Sequence, residues 1–94
     1  MKKIILSGHI IVLPTELDAI KKALPAHIEA TRAEQGCITF QVDEHPTETG
    51  RFEVYEEFIN KAAFERHQQR VKKSTWATAT KNITRHYTVK GLEG

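Results

Sequence analysis

Between Lys3 and Leu13 two rows of side chains alternate: Ile4, Leu6, Gly8, Ile10 and Val12 in one, Ile5, Ser7, His9, Ile11 and Leu13 in the other. A period of two with many β-branched residues predicts a strand. One row is nearly all aliphatic and the other carries Ser7 and His9, so its two faces are expected to meet different neighbours. A helical period follows through Leu17, Ile20, Leu24, Ile28 and Thr31. Thr15 is the expected N-cap, with Asp18 three residues on completing a capping box. Pro25 interrupts this stripe and is expected to kink or split the helix. Gly36 suits a left-handed C-terminal residue.

Alternation resumes over Cys37 to Glu44, with Ile38, Phe40 and Val42 on one side. His45 to Gly50 has loop composition, and Phe52 to Ile59 predicts a third strand, the hairpin partner of the second. Asn60 is a good N-cap for a second helix with Ala63, Phe64, His67 and Val71 on its inner stripe. Ser74 or Thr75 is expected to cap a short helix through Trp76, Ala79 and Ile83. Arg85 to Lys90 closes the chain as a fourth strand.

The order strand, helix, strand, strand, helix, strand predicts an α+β, ferredoxin-like split βαβ fold, with a four-stranded antiparallel sheet and helices on one face only. Ile5, Ile11 and Leu13 then fall on the bare face, too much aliphatic surface for water. Sheet-to-sheet pairing with a second copy is the simplest cover, and a 94-residue chain with a thin core benefits from it. His9 is expected at that interface.

Composition narrows the function. Residues 1–94 suit one domain. Fourteen Lys and Arg against 12 Asp and Glu give a net charge of +2, with the signs interspersed, which argues against a nucleic-acid partner. The single cysteine, Cys37, rules out an internal disulfide and fits a reducing compartment. Met1 to Leu6 begins like a signal peptide, but Ser7, Gly8 and His9 break the apolar run and no small-residue cleavage site follows. No window approaches the roughly 20 apolar residues that span a bilayer. The expectation is a cytoplasmic protein without a membrane partner.

Two residues stand out against their surroundings. Glu56 shares a row with Phe52, Val54 and Phe58, whereas Glu53, Tyr55, Glu57 and Ile59 form the polar row. A carboxylate in an apolar layer needs a hydrogen-bond partner or a proton. His67 stands where an aliphatic residue is expected between Phe64 and Val71. Both belong to the interface of sheet and helices. They are read as a pair, either a carboxylate-oriented histidine base or a structural hydrogen bond. Arg32 and Glu34 are expected to pair or cap at the helix end. The histidines at 9, 27, 45, 67 and 86 lack the spacing of metal ligands, and there is no glycine-rich phosphate loop.

Thr31-Arg32-Ala33-Glu34-Gln35-Gly36-Cys37 resembles the motif that ends the first helix in the antibiotic biosynthesis monooxygenase family. Phe52 to Phe58 and Ala62 to His67 resemble that family's third strand and second helix. The resemblance spans essentially the whole chain. It implies a dimeric α+β barrel with a pocket between sheet and helices in each subunit. Members act without cofactor on phenols or quinols, degrade haem, or process signal molecules. Phe58 stands where many members have Trp, and Trp76 follows His67 by nine residues, an order unlike that of the haem-degrading members.

The resulting expectation is a cofactor-independent monooxygenase for a small electron-rich aromatic. His67 is the base, Glu56 its orienter, and Trp76, Phe58, Tyr55 and Phe64 the walls. The alternative is a dimeric module that binds a small metabolite in the same pocket without this chemistry.

Overall fold

A computed structural model of the chain describes residues 2–92. The elements are β1 (Ile4–Ile11), α1 (Leu17–Arg32), β2 (Cys37–Glu44), β3 (Arg51–Phe58), α2 (Lys61–Lys72), α3 (Thr75–Ala79) and β4 (Thr84–Lys90). The strands form one sheet in the order β2-β3-β1-β4, and every neighbouring pair is antiparallel. This is the ferredoxin-like arrangement, with the helices packed on a single face.

Burial follows the two rows of β1. Ile4, Leu6, Ile10 and Val12 are buried under the helices together with Phe40, Val42, Phe52, Val54 and Phe58 of β2 and β3. The opposite face is mixed rather than aliphatic. Ile11 and Leu13 keep 38% and 49% of their surface exposed. Around them, cross-strand pairing lines up Tyr55 with Ser7 and Gln41, and Glu53 with His9 and Asp43. His9 stacks on His86 of β4, with ring centroids 4.6 Å apart.

The helix boundaries depart from the expected ones in three places. Thr15 does not cap α1: Pro14 opens a tight 3-10 turn over Pro14–Glu16, and the Glu16 N–H donates to the Leu13 carbonyl at 2.9 Å. A backbone acceptor thus replaces the hydroxyl. Pro25 does not split the helix, which runs unbroken through it. The carbonyl that Pro25 leaves without a donor belongs to Lys21, on the exposed side, where the loss is cheapest. Ile83 lies beyond the end of α3 and reaches the core from the connection to β4.

Two local features place the side chains discussed below. Asn60 Oδ1 accepts from the Ala63 N–H at 2.9 Å and starts α2. Gly36, at φ 96°, turns the chain out of α1 so tightly that a Cβ there would lie 2.6 Å from Ala63 Cβ. Only glycine lets this turn press against α2, and Glu34 is carried with it. Among the described residues no helix is long and apolar enough to cross a membrane.

Candidate active site

Three elements converge beneath the helices. β3 delivers Glu56, opposite Phe40 and Leu6; α2 delivers His67; the turn after α1 delivers Glu34. Glu56 and His67 are 6% and 4% exposed. The His67 ring lies against Phe58 and Phe40, at centroid distances of 4.9 and 5.9 Å.

His67 Nδ1 is 2.8 Å from Glu34 Oε1. A carboxylate can only accept, so Nδ1 is assigned the hydrogen and Nε2 is left with its lone pair. Nε2 faces Glu56 Oε1 at 3.8 Å, beyond hydrogen-bond length. Glu34 also accepts from Arg70 Nε, and Arg70 Nη2 donates to Thr31 Oγ1 at 2.9 Å. The residue that orients His67 is therefore Glu34, not Glu56. Arg32, expected to pair with Glu34, instead donates to the Phe40 carbonyl at 3.0 Å.

Burial decides the charge states. It pushes the Glu56 carboxyl up to about 7, with the Glu34 charge adding to the effect. Burial also lowers the His67 pKa, outweighing the upward pull of the Glu34 hydrogen bond. Below about pH 7 the Glu56 carboxyl is thus neutral, and across the 3.8 Å gap it faces an imidazole whose protonation burial disfavours.

Glu56 lines a cavity of about 30 Å³ together with His27, Phe40, Trp76, Arg85 and Tyr87. His67 is not in its wall. It lines a separate open niche of about 230 Å³ with Glu34, Gln35, Arg66 and Arg70. The order of the pair is therefore reversed from the expectation: Glu56 meets the cavity and His67 stands behind it. A larger groove of about 650 Å³ runs between α1 and β2 past Leu24, Pro25, Ile28 and Phe52. It contains neither Glu56 nor His67, so its size does not make it the site of the chemistry.

The aromatic residues expected as walls divide. Trp76 lines the cavity and stacks on His27, with centroids 4.5 Å apart and planes 7° off parallel. Phe58 backs His67, and Phe64 packs on Phe58 at 5.6 Å, one layer away from the cavity. Tyr55 points from the other face of the sheet, as its row dictates, and does not meet Glu56 or His67. Cys37 is half-buried, and burial raises its thiol pKa.

Sequence reasoning passed over His27, whose pKa burial lowers to about 4, with the neighbouring His67 charge as the next cause. The signal was there: Ile20, Leu24, His27 and Thr31 form the buried stripe of α1. Tyr87, which the sequence offers either as a half-buried sheet aromatic or as a donor to a substrate oxygen, has its phenol pushed up to about 12, by burial first and then by Glu56. Tyr87 is 37% exposed and still forms part of the cavity wall. No local pattern marks it, because its position comes from pairing with Gly8 across the sheet. Among the described residues, no three His, Cys, Asp or Glu side chains gather as metal ligands do.

Fold and site together define a ferredoxin-like α+β protein with an acid and histidine buried between its sheet and helices. The chain belongs to the antibiotic biosynthesis monooxygenase family, whose sequence model matches residues 4–79. Three solved structures illustrate the likeness. A Nitrosomonas europaea protein, described as a candidate antibiotic biosynthesis monooxygenase, is 18% identical, with 97% of this chain and 90% of that one covered at a TM-score of 0.82. PA3566 from Pseudomonas aeruginosa is 21% identical over 96% and 91% of the two chains, at 0.78. Rv0793 from Mycobacterium tuberculosis is 19% identical over 99% and 97%, at 0.74. At these identities the likeness is one of fold. No curated protein matches the chain significantly.

Proposed function

We propose that the protein is a cofactor-independent monooxygenase of a small phenol or quinol, bound beside Glu56. The observation that carries this reading is a buried carboxyl with a pKa of about 7, set in an aromatic-walled cavity and backed by a histidine. A group poised near neutral pH can take a proton and return it. Glu56 is the group that meets the substrate oxygen, and His67, fixed by Glu34 and Arg70, is its proton partner.

The reaction asks little more of the protein. Removing the phenolic proton leaves a phenolate that passes one electron to dioxygen. The phenoxyl radical and superoxide combine at the ring carbon opposite the oxygen. Loss of water from the resulting peroxide leaves a carbonyl, so phenol and dioxygen become quinone and water. The substrate supplies all four electrons, and an apolar enclosure protects the intermediates from solvent. Phe40 and Trp76 provide that enclosure, while Phe58 and Phe64 pack behind His67.

The cavity as it stands has room for about one water. A ring is therefore admitted by displacing Arg85 and Tyr87, the exposed part of the wall. That small volume is also what favours the second reading, a metabolite-binding module without this chemistry. We further infer that the protein works as a homodimer through the bare sheet face, where Ile11 and Leu13 are exposed. The direct test is an oxygen electrode with a polycyclic phenol. Uptake with one atom of isotope-labelled dioxygen in the quinone product is expected; binding without uptake across a panel of electron-rich aromatics rejects oxygenation in favour of the module.

A further inference from the structure

We propose that His27 and Glu56 together form an oxygen-binding point, which holds one water in the free protein and the hydroxyl of an aromatic ligand in the complex. This deepens the reading above by assigning the ligand's polar anchor, and it rests on the cavity beside Glu56 being the ligand site.

Two independent observations meet there. Glu56 Oε1 and His27 Nδ1 are both buried atoms with no hydrogen-bond partner in the protein. The residues that carry them, 6% and 7% exposed, line the same cavity. Interiors rarely leave such atoms unpaired, because desolvation without a replacement bond is costly. Two residues with unpaired atoms on one small cavity point to a shared partner. At about 30 Å³ the cavity is large enough to hold a water.

The chemistry of the two groups selects the partner. His27 is neutral over the physiological range, since burial lowers its pKa to about 4. A neutral imidazole and a carboxyl that titrates near neutral pH can between them accept one hydrogen bond and donate another, the acceptor being Glu56 as a carboxylate and His27 Nδ1 when Glu56 is protonated. A hydroxyl answers both demands. A hydrocarbon ring of the same shape answers neither and leaves both atoms unpaired, which is the situation in which a polar site rejects an apolar analogue. The parallel stack of His27 on Trp76 holds the imidazole in place. A hydroxyl seated at this point lies next to Glu56, where the proton transfer of the proposed reaction begins.

Trp76 is the only tryptophan in the chain, so its fluorescence reports on this site alone. The full-length protein is titrated with naphthol and with naphthalene in the absence of dioxygen. Naphthol is expected to bind at least roughly tenfold more tightly. In His27→Phe, which keeps a flat ring against Trp76 but removes Nδ1, the preference is expected to shrink to about twofold or less. The ring-nitrogen NMR signal of His27 in the parent gives a second readout, needed if that variant does not fold. It should move with naphthol and stay with naphthalene. Equal affinity for the two ligands, an unmoved His27 signal, or an intact preference in His27→Phe overturns the proposal. Oxygen uptake is absent from every arm, so failure of the oxygenase reading leaves these outcomes unaffected.

Discussion

Glu56 and Glu57 are neighbours on β3, yet they face opposite sides of the sheet and end as different chemical species. Burial drives the Glu56 carboxyl up to about 7, and no donor from the protein reaches its Oε1. Burial acts on Glu57 as well, but hydrogen bonds from Lys3 at 3.3 Å and Thr39 at 3.2 Å outweigh it and hold that carboxyl below its ordinary value. The same residue type one position apart becomes a neutral acid under the helices and a paired carboxylate on the open face. Backbone alternation alone makes the assignment. A candidate for proton chemistry is therefore recognised by which row it occupies, not by its proximity in sequence to other acids.

The largest effect expected from breaking this contrast is on turnover. Glu56→Gln keeps the shape and a polar head but cannot exchange the proton. It should lower oxygen uptake with a polycyclic phenol by roughly two to four orders of magnitude. Glu57→Gln, on the other face, should stay within about threefold of the parent, since it touches nothing in the cavity. Equal losses in the two variants would show that the faces are not functionally distinct.

The next effect is on stability against pH. Glu56 holds its proton up to about 7 when folded and to 4.5 when unfolded. Its contribution is full below 4.5 and is lost as pH rises through about 7. The whole shift is worth on the order of 3 kcal/mol. His27 runs the other way: its pKa is lowered from 6.5 to about 4, so its contribution is full above 6.5 and is lost as pH falls through about 4. The two slopes oppose each other where they overlap. Glu56→Gln should therefore gain on the parent as pH rises through 7, measured as the shift of urea midpoints across a pH series. Parallel pH profiles for variant and parent would contradict the buried-acid assignment.

The smallest effect concerns the open face as an interface. Ile11→Asp places a charge beside Leu13 on the surface inferred to meet a second copy. It should weaken the dimer by at least roughly tenfold, about 1.4 kcal/mol, in light scattering over a micromolar concentration series. A parent that is already monomeric at the highest concentration would remove the interface from the proposal.

The two faces also differ in how legible they were. Period-two rows named the buried side of β1 and β3 correctly, and the oddity of Glu56 and His67 followed from their rows alone. The same rule had already put Tyr55 on the far side. Counting it as a wall of the site set family resemblance above the alternation of the strand. His27 was equally legible as a member of the Ile20, Leu24 and Thr31 stripe. It was missed because histidine reads as a surface residue until a partner such as Trp76 is in view.

The sequence by itself determined the order of elements, the two rows of β1 and β3, the apolar stripes of the helices and the family to which the chain belongs; in β2 a register shift between Cys37 and Thr39 leaves Ile38 46% exposed instead of buried with Phe40 and Val42. These depend on local periods of two and 3.6 residues and on motifs a few residues long. Tertiary structure alone decided that Glu34 orients His67 across 33 positions, that Glu56 rather than His67 meets the cavity, and that Tyr87 and Trp76 share its wall. Those relations join groups distant in sequence. They depend on how tightly Gly36 lets one turn approach α2 and on which cross-strand neighbours the register selects, and no local pattern carries that information.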